Sequence, residues 1–284
     1  MIEFLTEPFT YGITQRALVA VTLLAVMCGP LGVWAIHFRL GYAAESLSHA
    51  ILPGLVVAAL LSVSVYAGAA AGIALAAVVI WLAGRPRRAN TDIAVAVAVT
   101  GLLAAGVILA LAPDVPAHLP ELLFGELLAV SAGDLAATAV LAGFVLAALL
   151  WLHRRFTLAA FEPVTARVAG VRTGAIGLGA LLLVAVAVVA SARILGNLLA
   201  VTLLILPAIA AGRFAVRLPA QLVLAAGIGV VSGFGGLVLS YHAGTAAAAS
   251  VTLVAAVILL VSMAAGVRRP DRPRFGSPIE ALRD

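Results

Sequence analysis

The sequence predicts an all-α fold, a polytopic membrane bundle of eight or nine transmembrane helices with a re-entrant half-helix and a short helix on its cytoplasmic face. Three observations predict it. Hydrophobic residues make up 64% of the 284 positions and charged residues only 10%, whereas soluble domains sit nearer half apolar and a quarter charged. The apolar residues run without alternation, as in LVAVTLLAVMCGPLGVWAI (18–36), which excludes a membrane barrel built from short alternating strands. The 17 basic residues, all arginine, fall in short clusters between the apolar runs, the pattern of a topology signal.

Taken in chain order, apolar runs long enough to cross a bilayer lie at about 14–36, 45–65, 67–84, 92–112, 134–152, 174–191, 194–212, 219–240 and 246–266. With the N-terminus outside, 15 of the 17 arginines fall on one side and only Arg16 and Arg193 on the other. The positive side is the cytoplasm, so the C-terminus is expected there. No cleavable signal peptide is expected, because Glu3 and Glu7 precede the first run where a basic start would stand. Two segments do not fit a plain serpentine. The outer stretch 113–133, PDVPAHLPELLFGELLAVSAG, opens on three prolines and carries an apolar patch too short to cross, which predicts a re-entrant half-helix. In the inner loop 153–173, Glu162 suits a positive helix N-terminus, Pro163 a first helical position and Gly170 a C-terminal stop. That pattern predicts a helix of about two turns at the membrane face. Residues 1–267 then form the transmembrane domain, and the polar, proline-rich 268–284 a mobile cytoplasmic tail.

Composition also excludes functions. The chain has no lysine, so it lacks the residue with which a Walker loop reaches the outer phosphates of a nucleotide. Any energy from ATP must enter through another chain. The net charge of +5 is used up by loop arginines and does not imply nucleic acid. The single cysteine, Cys28, permits no internal disulfide. A membrane metalloprotease would need H-E-x-x-H, which is absent.

Ionisable residues inside spans are expensive and therefore informative. Glu45 and His49 stand four apart on the second span, on one helix face and about 6 Å apart along the axis. A carboxylate and an imidazole so placed are half of a site for zinc or a similar divalent ion. The bland alternative is a helix-start acid with one satisfied histidine. Pro53 extends the same face and removes a backbone donor, which suits a pathway. Asp92 opens the fourth span beside Arg87 and Arg88; it is either a third ion-route acid or an acid favoured by the helix dipole. His118, Glu121, Glu126 and Asp134 gather on the outer side, as a cation entrance or a solvated rim. His242 sits at the outer end of the eighth span, and His37 and His153 at interfaces.

With these residues named, a resemblance becomes visible. LGYAAESLSHAILPGLVVA (40–58) resembles the G-D-x-L-(S/A)-H-A-x-L-P-G signature of permease subunits from bacterial ABC importers of zinc, manganese and iron(II). LLFGELLAVSAGDL (122–135), FEPVTARVAGV (161–171) and LGNLLAVTLLILPAIAAGRFA (195–215) resemble three further motifs of that family, in the same order. The similarity covers roughly 12–266. It implies a homodimer or close pair of permeases forming one pathway, two cytoplasmic ABC ATPase subunits, and an extracytoplasmic metal-binding protein that delivers the ion. By the same resemblance Glu45, His49 and Asp92 line the metal route, and Glu162, Pro163, Ala166 and Gly170 form the ATPase-coupling loop. Pro53 and Pro207 pack the pathway. The chain departs from the pattern at Glu45 and Glu162, where aspartate is usual, at Ala44, where glycine is usual, and at Val164, where an acid is usual. Around 240–253 it has Gly244, Ala246 and Ala248 in place of an acid, a proline and a glycine.

The expectation is therefore a non-catalytic permease subunit in the bacterial inner membrane, with no resident cofactor and a divalent metal as cargo. Zinc is favoured by histidine plus carboxylate, and manganese and iron accept the same ligands. The runner-up, an ion-coupled secondary transporter, would make Asp92 and Glu45 proton or sodium sites. The chain lacks the inverted repeat that would favour it.

Overall fold

The computed structural model describes residues 2–83, 91–111, 125–192 and 194–264, and among the described residues every regular element is helical. A short α1 (Ile2–Thr6) and a 3-10 turn (Glu7–Thr10) precede α2 (Gly12–His37). Next come α3 (Gly41–Ala50), α4 (Leu52–Leu60), α5 (Val65–Ala83) and α6 (Thr91–Ala110). After a 3-10 turn at Leu127–Ala129 follow α7 (Ala132–Phe161), α8 (Pro163–Val168), α9 (Thr173–Ala192), α10 (Asn197–Phe214), α11 (Leu218–Ala243) and α12 (Ala247–Ala264). Six of the described helical stretches are long and apolar enough to cross a membrane: α2, α3 with α4, α7, α9, α11 and α12. The apolar helices α5, α6 and α10, of 19, 20 and 18 residues, stand at the three remaining runs of the sequence.

Helix direction follows from contacts at opposite ends of one pair. Near the start of α2, the Tyr11 ring lies 6.1 Å from Tyr241 at the end of α11. At the other end of α2, His37 Nε2 lies 3.3 Å from Gln221 Oε1, at the start of α11. The two are antiparallel, as the serpentine reading requires. Lipid gives helices no hydrophobic reason to associate, so the bundle relies on small residues that let backbones approach. A Cβ on Gly29 would meet the Ala225 carbonyl carbon at 2.6 Å, and one on Gly54 would meet the Gly72 nitrogen at 2.6 Å. The first contact joins α2 to α11 and the second joins α4 to α5. Helices α3 to α6 pack chiefly on one another, and α3 also lies against α9 and α10. The pair carried by α3 thus stands at a seam between two groups of helices.

Several expectations need correction. The fifth span does not stop at 152: α7 runs on to Phe161, so His153, Arg154 and Arg155 lie on a helix, not in a loop. The second span starts earlier, at Gly41, and is broken at Ile51. The half-helix expected over 113–133 lies outside the described residues for 113–124, and the described remainder is one 3-10 turn followed by the start of α7. The expected tail 268–284 and the Arg85, Arg87 and Arg88 cluster also lie outside the described residues.

Candidate functional site

The site helix begins with a sharp reversal. Leu40 N–H bonds the Ala35 carbonyl (2.7 Å) and Arg39 N–H bonds the Ile36 carbonyl (3.0 Å). This paired pattern closes α2, with Arg39 in the left-handed region at φ 58°. Glycine is the usual occupant there, and arginine accepts a strain of roughly 1 kcal/mol to turn the chain so tightly. From this turn α3 starts at Gly41 and presents Glu45 and His49 on successive turns of one face. His49 Nε2 lies 3.2 Å from Glu45 Oε1. Ala44, Ser46 and Leu47 on the other faces are buried. The Glu45 side chain keeps 52% of its exposure and His49 26%, so the pair faces outward from a single copy of the chain. His49 Nδ1 is buried and has no hydrogen-bond partner among the described residues.

Beyond Ile51 the helix restarts, with Pro53 in the first turn of α4. Proline has no N–H to give to the carbonyl four residues back, which belongs to His49. Pro53 is buried against α6, where a Cβ on Gly106 would stand 3.0 Å from the Pro53 nitrogen. Pro207 is buried inside α10. Asp92 is the second residue of α6, and its side chain lies outside what is described. Among the described residues no group of three histidine, cysteine, aspartate or glutamate side chains could hold a metal. Glu45 and His49 are the one carboxylate–imidazole ion pair within 4 Å among the described residues.

A second feature lies at the arginine-rich end. The six residues of α8 start at Pro163 after Glu162, whose carboxylate accepts from Thr165 Oγ1 at 3.3 Å. Ala166 is fully buried. The helix ends as its sequence predicts: Gly170 N–H bonds Arg167 O (3.1 Å), Val171 N–H bonds Ala166 O (2.8 Å), and Gly170 has φ +75°. Val164 and Val168, four apart, are 66% and 86% exposed. This exposed apolar pair at helical spacing was legible in the sequence, where Val164 stood out only as a departure from an acid. Phe161, just before this helix, lies 4.8 Å from the His37 ring, while Phe156 sits 5.3 Å from both Trp34 and Phe38. This aromatic cluster ties the foot of α7 to the turn that launches α3. It was hidden in the sequence because its members are more than a hundred residues apart.

The outer residues divide. Asp134 is 8% exposed, not a solvated rim acid. Its Oδ2 accepts from Ser131 N–H (3.2 Å) and Ser131 Oγ (2.6 Å), and Ser131 Oγ in turn accepts from Asp134 N–H (3.1 Å). This is a capping box that starts α7. Glu126 is exposed. His118, Glu121 and Arg193 lie outside the described residues. His242 stacks on Phe4 at 3.7 Å, with Nε2 2.9 Å from the Phe4 carbonyl. It holds the N-terminal segment and stands far along the chain from the α3 pair.

Known proteins share this architecture along its length. The model of the ABC 3 transport family matches residues 10–266. The chelated iron transport system membrane protein YfeD of Yersinia pestis is 29% identical over 98% of this chain and 94% of its own. The manganese transport system membrane protein MntC of Halalkalibacterium halodurans is 32% identical over 91% and 89%. Among solved structures, PsaBC from Streptococcus pneumoniae in complex with Fab superposes with a TM-score of 0.84 at 26% identity, covering 93% of this chain and 95% of that one. An inward-facing putative metal-chelate type ABC transporter superposes at 0.66 with 16% identity, a likeness of fold alone.

Proposed function

The chain belongs to the ABC 3 transport family and is a membrane permease subunit without ATPase chemistry of its own, and from that premise we propose that it forms the pathway of an ATP-driven importer for a divalent transition metal. The observation that carries the reading is the Glu45–His49 pair, a carboxylate and an imidazole 3.2 Å apart on a helix of an apolar bundle. Ionisable residues within a membrane span are costly and by default mark an ion pathway. The relatives named above favour manganese or iron as the cargo over the zinc first expected, and these donors accept all three.

One chain supplies two donors, and a two-fold axis between two copies would bring four together. The partial exposure of both side chains in the single copy supports that arrangement. Asp92, on the helix next to α3, is proposed as a further acid on the route. Transport requires release as well as capture, so a site of nitrogen and carboxylate donors drawn from two copies must be weak or gated. Delivery falls to an extracytoplasmic metal-binding protein, and work to cytoplasmic ATPase subunits docking on α8 through Val164 and Val168. Glu162, Pro163, Ala166 and Gly170 fix the shape of that docking element. Nucleotide-driven closure would then pull on Phe161 and pass through Phe156, Trp34 and Phe38 to the turn at Arg39. The C-terminus lies on the cytoplasmic side in this reading, the side holding most of the arginines.

The test is reconstitution with the cognate ATPase and binding protein in proteoliposomes, followed by parallel ATP-driven uptake of manganese, iron(II) and zinc. Saturable uptake of manganese or iron that needs ATP is expected. Uptake driven by a proton or sodium gradient without ATP would support the secondary-transporter reading instead.

A further inference from the structure

We propose that the outward face of α7 holds an anionic phospholipid from the leaflet on the arginine-rich side, with its headgroup phosphate on Arg154 and Arg155 and an acyl chain along Val140, Phe144, Ala147 and Trp151. The helix has two unlike faces. Thr138, Ala142, Val145, Leu149 and Phe156 are buried, and α7 packs on α2 and α9. Val140, Phe144, Ala147 and Trp151 stand at i, i+4, i+7 and i+11, a single stripe on the opposite face. All four are exposed, Trp151 by 77%. None of the other five long spans buries so little of itself as α7.

Depth follows from length. Asp134 caps the outer end of α7, and Arg154 lies twenty residues further on, about 30 Å at the helical rise and so one hydrocarbon thickness away. Trp151 stands within one turn of that boundary, the level at which tryptophan is favoured. Arg155 Cζ lies 5.7 Å from the Trp151 ring centroid, which holds its guanidinium over the ring. Arg154 and Arg155 are both exposed, and neither makes an ion pair among the described residues. Two uncompensated cations at headgroup level, at the end of an apolar stripe, complement a phosphate that carries acyl chains. Guanidinium forks suit phosphate oxygens, and basic sites on the cytoplasmic side of a bundle take anionic lipid headgroups. A second copy of the chain fits less well. Seated through the same face about a two-fold axis, it would bring four arginines together, and the exposed stripe has no acid to offset them. Phe156, the next residue, packs against Trp34 and Phe38, so the lipid is seated beside the turn that launches α3.

The experiment uses the full permease with its ATPase in phosphatidylcholine bilayers, into which brominated phosphatidylglycerol or, in parallel, brominated phosphatidylcholine is titrated. Bromine quenches a tryptophan it touches. The Trp151 signal is the difference between each protein and its Trp151→Phe counterpart, because Trp34 and Trp81 are common to both. Trp151 should be quenched at a lower fraction of phosphatidylglycerol than of phosphatidylcholine, by about fivefold for each arginine that contributes. Arg155→Gln should lose about fivefold of that preference, and Arg154→Gln with Arg155→Gln should bring the two lipids level. Arg217→Gln removes an exposed arginine at the start of α11 and should keep the preference. Soluble glycerol 3-phosphate, which has the phosphate without the chains, should not relieve the quenching. The proposal is overturned by equal quenching from the two lipids in the parent, by a preference that survives the double variant, or by one lost equally in Arg217→Gln. Relief by glycerol 3-phosphate would show an anion site that needs no lipid, and no quenching by either lipid would show the face covered by protein; each overturns it as well. Each variant is measured as the complex that co-purifies with its ATPase.

Discussion

Replacing Gly170 by valine isolates one backbone requirement of the docking helix. Gly170 sits at φ +75°, and a Cβ placed on it has no heavy atom within 4 Å, so a side chain meets no neighbour and the perturbation acts through the backbone alone. An L-residue in the left-handed region costs about 1–2 kcal/mol, more for a β-branched one. Relaxing that strain gives up the two closing bonds at 3.1 and 2.8 Å, worth about 0.5–1.5 kcal/mol each. A helix of six residues has little of its own to offset the loss. A loss of 1–2 kcal/mol lowers the population of the formed helix roughly 5- to 30-fold. The assay is co-purification of the ATPase subunit with the permease, together with ATP-driven uptake in proteoliposomes. Gly170→Val should weaken both by about that factor, and Gly170→Asn, which tolerates the left-handed region, should recover most of the loss. Normal ATPase binding and uptake by Gly170→Val would refute the claim that α8, closed at Gly170, is the coupling element.

Other predictions concern the scaffold and the docking face. Gly54→Val places atoms against the α5 backbone at Gly72, where even a Cβ stands at 2.6 Å, so α4 and α5 should separate and the yield of assembled, monodisperse permease should fall sharply; Gly212→Ala, with nothing within 4 Å, should leave it unchanged. Asp134→Ala removes the capping box of α7 and should lower stability by about 1 kcal/mol, read as a lower melting temperature in detergent, with metal uptake retained in the surviving protein. Val164→Asp with Val168→Asp charges the exposed face of α8 and should abolish ATPase co-purification while leaving the melting temperature close to that of the parent.

How much of this was legible depended on the range of the interaction. Local signals carried well: continuous apolar runs gave the spans, Pro163 and Gly170 gave both ends of α8, and the i, i+4 spacing of Glu45 and His49 gave the pair. The end of α7 was misjudged because charge at Arg154 and Arg155 looks like a loop, whereas long arginine side chains reach water from a helix end and the following apolar residues extend the helix. Asp134 looked like an entrance or rim acid because only the structure shows Ser131 folding back on it. Arg39 gave no sign of its left-handed backbone, since that position is normally announced by glycine. The contact of Phe161 with His37, like those of Phe156 with Trp34 and Phe38, joins distant stretches of chain, and no periodicity encodes it.

The central claim, that metal crosses the membrane along the face of α3 marked by Glu45 and His49, is tested most directly by ATP-dependent manganese uptake in proteoliposomes holding the permease, its ATPase and its binding protein, with His49→Ala run beside the parent. The parent should accumulate manganese only with ATP, and His49→Ala should stay at the level of empty vesicles although it still co-purifies with the ATPase. Accumulation by His49→Ala at the parent's rate would contradict the claim.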